Sequence, residues 1–145
     1  MLPQLTRLKE VALDLILPKR CLGCGKEGAY ICSSCTSKLP RVIPPVCPLC
    51  GLPQISQCLC SSCTGRHWAI DGIRSPFRFE GLVRQVIYQF KYNNLRDVAR
   101  TLAELVAEYL INNPMPGEVL VPVPLHRQRL KYRGYNQSRL LAYEL

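Results

Sequence analysis

At 145 residues with a formal charge of +9, the chain can bury one ordinary core, or hold a small metal-stapled module and part of a second domain. No apolar run approaches the roughly 20 residues that a membrane helix needs, and Arg7, Lys9, Glu10 and Asp14 interrupt any secretory signal core. These features argue against a membrane-spanning protein and a secreted disulfide scaffold, and a cytoplasmic protein with reduced thiols is expected.

Residues 4–17 place Leu5, Leu8, Ala12, Leu15 and Ile16 near one helical face, which predicts a short amphipathic helix ending before Pro18 and covering the first cysteine knuckle. Next come all nine cysteines, eight of them in Cys-x-x-Cys pairs: Cys21/Cys24, Cys32/Cys35, Cys47/Cys50 and Cys60/Cys63. Two thiolates three residues apart grip one tetrahedral ion from the same side, and two such knuckles close a four-cysteine site. The spacing predicts two structural Zn2+ sites, in ribbons at about 20–36 and 46–64 that look like a duplicated unit. Gly23, Gly25 and Gly51 suit the turns that aim backbone N–H groups at sulfur. Cys58 could replace Cys60 as a ligand but breaks the repeated spacing, and His67 is a spare ligand or an ordinary loop residue. With eight thiolates and two Zn2+ bound, the net charge falls to about +5, which still suits a phosphate-bearing ligand or nucleic acid. Residues 1–65 are read as one unit, of helix and double ribbon, and 66–145 as another.

Between the ribbons, Pro40, Pro44 and Pro45 stiffen an extended spacer at 38–45. Residues 68–79 read as strand-like, with a break at Ser75-Pro76. Two helical patterns follow. One carries Leu82, Val83, Val86, Ile87 and Phe90 and stops at Asn93-Asn94; Lys91 and Tyr92 at its end suit a solvated helix end or a ligand. The other carries Leu95, Val98, Leu102, Leu105, Val106 and Tyr109 and stops before Asn113-Pro114. Residues 119–124 suit a buried parallel strand, with Pro122 and Pro124 at its exit. Residues 125–137 then form a basic loop with Arg127, Arg129, Lys131 and Arg133 and no acid, before a helix capped by Asn136 or Ser138. A loop at the carboxyl end of a strand, leading into a helix N-terminus, favours phosphate.

The run Pro122-Val-Pro124-Leu-His126, with Arg129, Arg133-Gly134-Tyr-Asn136-Gln137, the knuckles upstream, Phe90-Lys91-Tyr92 and the segment 13–24, resembles the ComF family over essentially the whole chain. That resemblance implies a double zinc ribbon followed by an α/β domain of type I phosphoribosyltransferase architecture, binding phosphoribosyl pyrophosphate (PRPP) with Mg2+. It assigns Arg129, Arg133, Gly134, Asn136 and Gln137 to the pyrophosphate, with catalysis resting on stabilisation of that leaving group.

The same resemblance implies a chain that continues past Leu145 to an acidic pair and a Thr/Gly-rich 5-phosphate loop, and no Asp-Asp or Thr-Thr-Gly occurs here. The sequence thus reads as C-terminally truncated, able to bind PRPP with Mg2+ only in a full-length form. Its helices at 82–112 are expected to keep apolar stripes partly exposed for want of a sheet. The resemblance links the chain to competence and DNA uptake. A second reading is therefore a zinc-ribbon module that binds single-stranded DNA, stacking bases on Tyr132 and Tyr135 between Arg129, Lys131 and Arg133. A third is a ribbon that docks a competence-machinery protein without catalysis.

Overall fold

The structure is a computed structural model, and it describes residues 18–115 and 117–145. The helix expected at 4–17 lies outside the described residues. Among the described residues there are five helices: α1 (Ser33–Thr36), α2 (Gly81–Tyr92), α3 (Val98–Asn112), α4 (Arg127–Arg133) and α5 (Gln137–Glu144).

The helices at α2 and α3 follow the apolar periodicity. In α2, Val86 and Phe90 are buried and Leu82 and Val83 pack beside them, while Asn94 turns the chain at φ 55° just past the end. In α3, Val98, Ala99, Ala103 and Leu105 are buried, and the helix ends before Asn113-Pro114. It begins at Val98 rather than Leu95, because the residues from 93 to 97 are spent on the tight turn between the helices. Helix α5 packs chiefly against α3, through Leu140 and Leu141.

The first ribbon covers the centres of the α2 and α3 stripes, while Leu82, Val83, Ile87, Leu95, Leu102, Val106 and Tyr109 stay partly exposed, as expected. Leu22, Tyr30, Ile31, Cys35 and Leu39 share one core with Val86, Phe90, Val98, Ala99 and Leu105. Burying a side chain such as Val86 or Phe90 is worth about 1.5–3 kcal/mol each, so the ribbon supplies what a sheet would otherwise supply. Gly23 makes the close approach possible: a Cβ there would lie 2.9 Å from Leu82 Cδ2 and 3.0 Å from Cys35 Sγ. The second ribbon has its own small cluster of Cys47, Cys60 and Cys63 with Leu49 and Cys50 packed on it.

No sheet forms among the described residues, which pair only at the isolated bridges Arg20↔Glu27, Arg41↔Phe77 and Val46↔Pro53. The stretch 68–79 is irregular rather than a strand, pairing only at Phe77 in the isolated bridge with Arg41. At its end it meets the spacer, with Val42 N donating to Pro76 O (3.0 Å) and Arg78 N to Pro40 O (2.8 Å). The expected buried strand at 119–124 is also corrected: Val119 and Val121 are 80% and 75% exposed, and the segment has no strand partner among the described residues. A lone strand cannot satisfy its backbone groups by itself, so this one runs extended and solvated. The described residues therefore hold the ribbons and the helices of the expected architecture, without its sheet. No described helix is long and apolar enough to cross a membrane.

Candidate metal centres and basic cleft

Each ribbon is assembled by the same local hydrogen bonds. In the first, Cys21 N donates to Lys26 O and Gly25 N to Cys21 O, both at 2.8 Å; in the second, Cys47 N donates to Leu52 O (2.8 Å) and Gly51 N to Cys47 O (2.9 Å). Gly25 and Gly51 hold equivalent positions at φ 77° and 74°, where a side chain would be strained. The second knuckles also match, with Thr36 N bonding Cys32 O and Thr64 N bonding Cys60 O. Even the amide-to-sulfur bonds repeat: Cys32 N reaches Cys21 Sγ at 3.4 Å and Cys60 N reaches Cys47 Sγ at 3.5 Å. Such repetition is what a duplicated unit produces.

These turns bring the sulfurs of Cys21, Cys24, Cys32 and Cys35 within 4.8 Å of one another, and likewise those of Cys47, Cys50, Cys60 and Cys63. A tetrahedral ion with Zn–S bonds of about 2.3 Å needs sulfurs about 3.8 Å apart. The contacts Cys24–Cys32 at 3.5 Å and Cys50–Cys60 at 3.6 Å fit that requirement. Four thiolates with no open position make a closed site, so zinc here would be structural, holding the ribbon shut and offering no place for substrate. Cys58 and His67 belong to neither group; Cys58 is exposed and contacts Ser56 Oγ at 3.2 Å.

The thiols of each set split in acidity. The Ser34 hydroxyl and the Cys35 amide draw Cys32 down to about 6, and amides of Cys50 and Cys60 draw Cys47 down to about 6. Hydrogen bonding to Cys21 pushes Cys35 up to about 12, and burial pushes Cys63 up to about 12. Crowded thiols cannot all ionise without a cation among them, and a divalent ion removes that conflict.

The basic segment is a helix where a loop is expected. The His126 side chain caps α4 by accepting from Gln128 N (3.4 Å), and Gly134 closes it in the left-handed region at φ 74°. The five residues assigned to pyrophosphate are dispersed in role. Arg129 is exposed on α4. Arg133 lies 4.9 Å over the Tyr92 ring, donates to Tyr92 Oη (3.3 Å) and donates to Gln137 Oε1 (3.3 Å). Asn136 is consumed as the cap of α5, accepting from Ser138 N and Arg139 N while donating to Val123 O. Gln137 is buried, and its Nε2 has no hydrogen-bond partner among the described residues. Tyr135 is no stacking surface: it is 7% exposed, and its hydroxyl bonds Phe90 O, whereas Tyr132 is 79% exposed. Arg133 and Gly134 instead share an open cleft with Lys91, Tyr92 and, missed in the sequence, Arg96. Lys91 and Tyr92 were legible as a helix end; Arg96 carried no motif.

Residues 12–64 match the double zinc ribbon domain family. The chain is 30% identical over 124 residues to competence protein ComFC of Bacillus subtilis (strain 168), covering 81% of this chain and 52% of that protein. It is also 30% identical over 140 residues to competence protein F of Haemophilus influenzae, covering 87% and 58% respectively. The chain belongs to the ComF family. A further ComF-type relative is the DNA utilization protein YhgH of Escherichia coli (strain K12), 30% identical over 122 residues that make up 79% of this chain and 53% of YhgH. The chain thus spans about half the length of the curated relatives it matches. No solved structure matches it.

Proposed function

We propose that this ComF-type chain handles single-stranded DNA in competence, with the zinc ribbons as scaffold and the surface around α4 as the part that meets the strand. The observation that carries this reading is a helix with Arg127, Arg129, Lys131 and Arg133, and no acid, whose last residue stacks on Tyr92 at the end of α2. Phosphodiester strands bind such surfaces by counterion release, without sequence preference. Relatives named for competence and DNA utilization support it. The need for eight reduced thiols as zinc ligands favours the cytoplasm as its compartment. Fluorescence anisotropy with a labelled oligonucleotide tests the proposal: Arg129→Ala with Arg133→Ala should weaken binding to all sequences alike. Unchanged affinity in that double variant would take the interface away from α4.

A second reading is that a chain continued beyond residue 145 binds PRPP with Mg2+ in a phosphoribosyltransferase-like α/β domain, for which residues 66–145 are the first part. The Pro122–Gln137 signature favours it, as does the greater length of the relatives. In that setting the extended 119–123 segment would be a sheet strand, and Arg133, Gly134, Asn136 and Gln137 would border the pyrophosphate. Mg2+-dependent PRPP binding by a chain extended past 145, absent in the 145-residue chain, is the expected result. A third, partner docking by the ribbons alone, would show in binding that survives loss of the α4 cations.

A further inference from the structure

The first ribbon, the start of α3 and the end of α5 leave an open groove of about 620 Å³ between them. Its floor is apolar, formed by Ala29 and Tyr30 of the ribbon, Ala99 of α3 and Leu140 of α5. Tyr30 and Leu140 pack on the edge of the main core and are half-buried, so that core reaches the surface here.

The rim of the groove is charged. Arg100 is neutralised by Glu104 (3.4 Å). Asp97 and Glu144 also line the groove, and neither makes an ion pair among the described residues. Asp97 stands at the N-cap of α3, yet its side chain caps no amide. Glu144 is the last residue of α5, where the helix field opposes a negative charge. A cation laid alongside these two carboxylates is therefore favoured.

The chain itself supplies an occupant. Lys19 lines the groove and accepts at its carbonyl from Gly28 N (2.8 Å), so the described chain begins in the groove wall. The seventeen residues ahead of Pro18 carry Leu5, Leu8, Ala12, Leu15 and Ile16 at helical spacing. Leu15 and Ile16 are at most three residues from Pro18, a reach of about 10 Å even when fully extended. The apolar floor of the groove is thus the surface nearest to them. On a helix, Lys9 borders the apolar stripe, whereas Glu10 falls on the opposite face.

We propose that residues 4–17 form a helix that docks in this groove, its apolar stripe on Ala29, Tyr30 and Leu140 and its Lys9 beside the carboxylates of Asp97 and Glu144. The segment then ties the first ribbon to α3 and α5, which is more than covering a cysteine knuckle. This docking is independent of the DNA reading.

Site-specific photocrosslinking on the zinc-loaded chain tests it. Lys9→p-benzoylphenylalanine puts the label at the edge of the stripe, and Glu10→p-benzoylphenylalanine puts it one residue on, facing away. On irradiation the first label should join to residues 28–30, 97–104 or 140–144 of the same chain, and the second should give several-fold less of that product. Ala29→Arg, which fills the floor of the groove, should remove most of the product from the Lys9 label. Retention of two zinc ions checks the fold, and the two labels decide the result even where Ala29→Arg disturbs the ribbon. Labels that react alike, or a Lys9 label that joins only to the knuckle at 21–25, would overturn the docking. A product of twice the chain mass would give the groove to a second copy instead, and no product would leave the segment undocked; either result also overturns it.

Discussion

Cys58 and Cys60 lie two residues apart, yet only Cys60 has its sulfur in the second cluster. The reason is local: Cys60 begins the turn in which Cys63 N and Thr64 N bond its carbonyl, and its own N–H meets Cys47 Sγ. Cys→Ser at any of the eight clustered positions should therefore release one zinc and unfold that ribbon, while Cys58→Ser keeps two zinc ions by native mass spectrometry. Acidity follows from the same geometry. With Cys35 and Cys63 near 12, both hold protons at pH 7, so zinc must displace protons to bind. Affinity should fall as pH drops, and fall more steeply below about 6, where Cys32 and Cys47 also take up protons. Chelator competition across pH 5.5 to 8 reads this, and affinity that rises on acidification would refute it. Tyr135 gives a third residue-scale prediction. Tyr135→Phe leaves the Phe90 carbonyl without that donor and should cost about 1–3 kcal/mol in urea unfolding.

At the scale of elements, the two ribbons share hydrogen bonding but not surroundings. The first is built into the core of α2 and α3; the second keeps a separate cluster of sulfurs. Loss of the first zinc should therefore loosen the helices, and loss of the second should stay local. Hydrogen exchange separates these outcomes: Cys21→Ser should deprotect amides of α2 and α3, while Cys63→Ser should leave them protected. Equal loss in both variants would mean the ribbons fold as one unit. The segment at 119–123 is the opposite case, an apolar stretch with no described element to cover it. Val119, Leu120, Val121 and Val123 all face solvent, which invites pairing with another strand. Val121→Lys should reduce concentration-dependent association in light scattering without lowering zinc content.

At the scale of the whole molecule, the chain is a zinc-stapled helical body with a positive cleft on one surface. Its sequence determined the parts whose causes are local. Cys-x-x-Cys spacing dictates a knuckle whatever surrounds it, and the duplication was legible because both ribbons repeat it. The stripes of α2 and α3 were legible because a 3.6-residue period needs only neighbouring positions. Tertiary structure decided what covers those stripes, since Gly23 meets Leu82 across nearly sixty residues of chain, and no period encodes such a contact. It also decided that 119–123 stays solvated, because a strand exists only with a partner. It turned the expected loop after that segment into α4, with a histidine cap and a glycine stop. The cleft shows the limit most clearly. Arg133 stood in a motif, but Arg96 became its neighbour only when two helix ends met, and charge acts through space rather than along the chain.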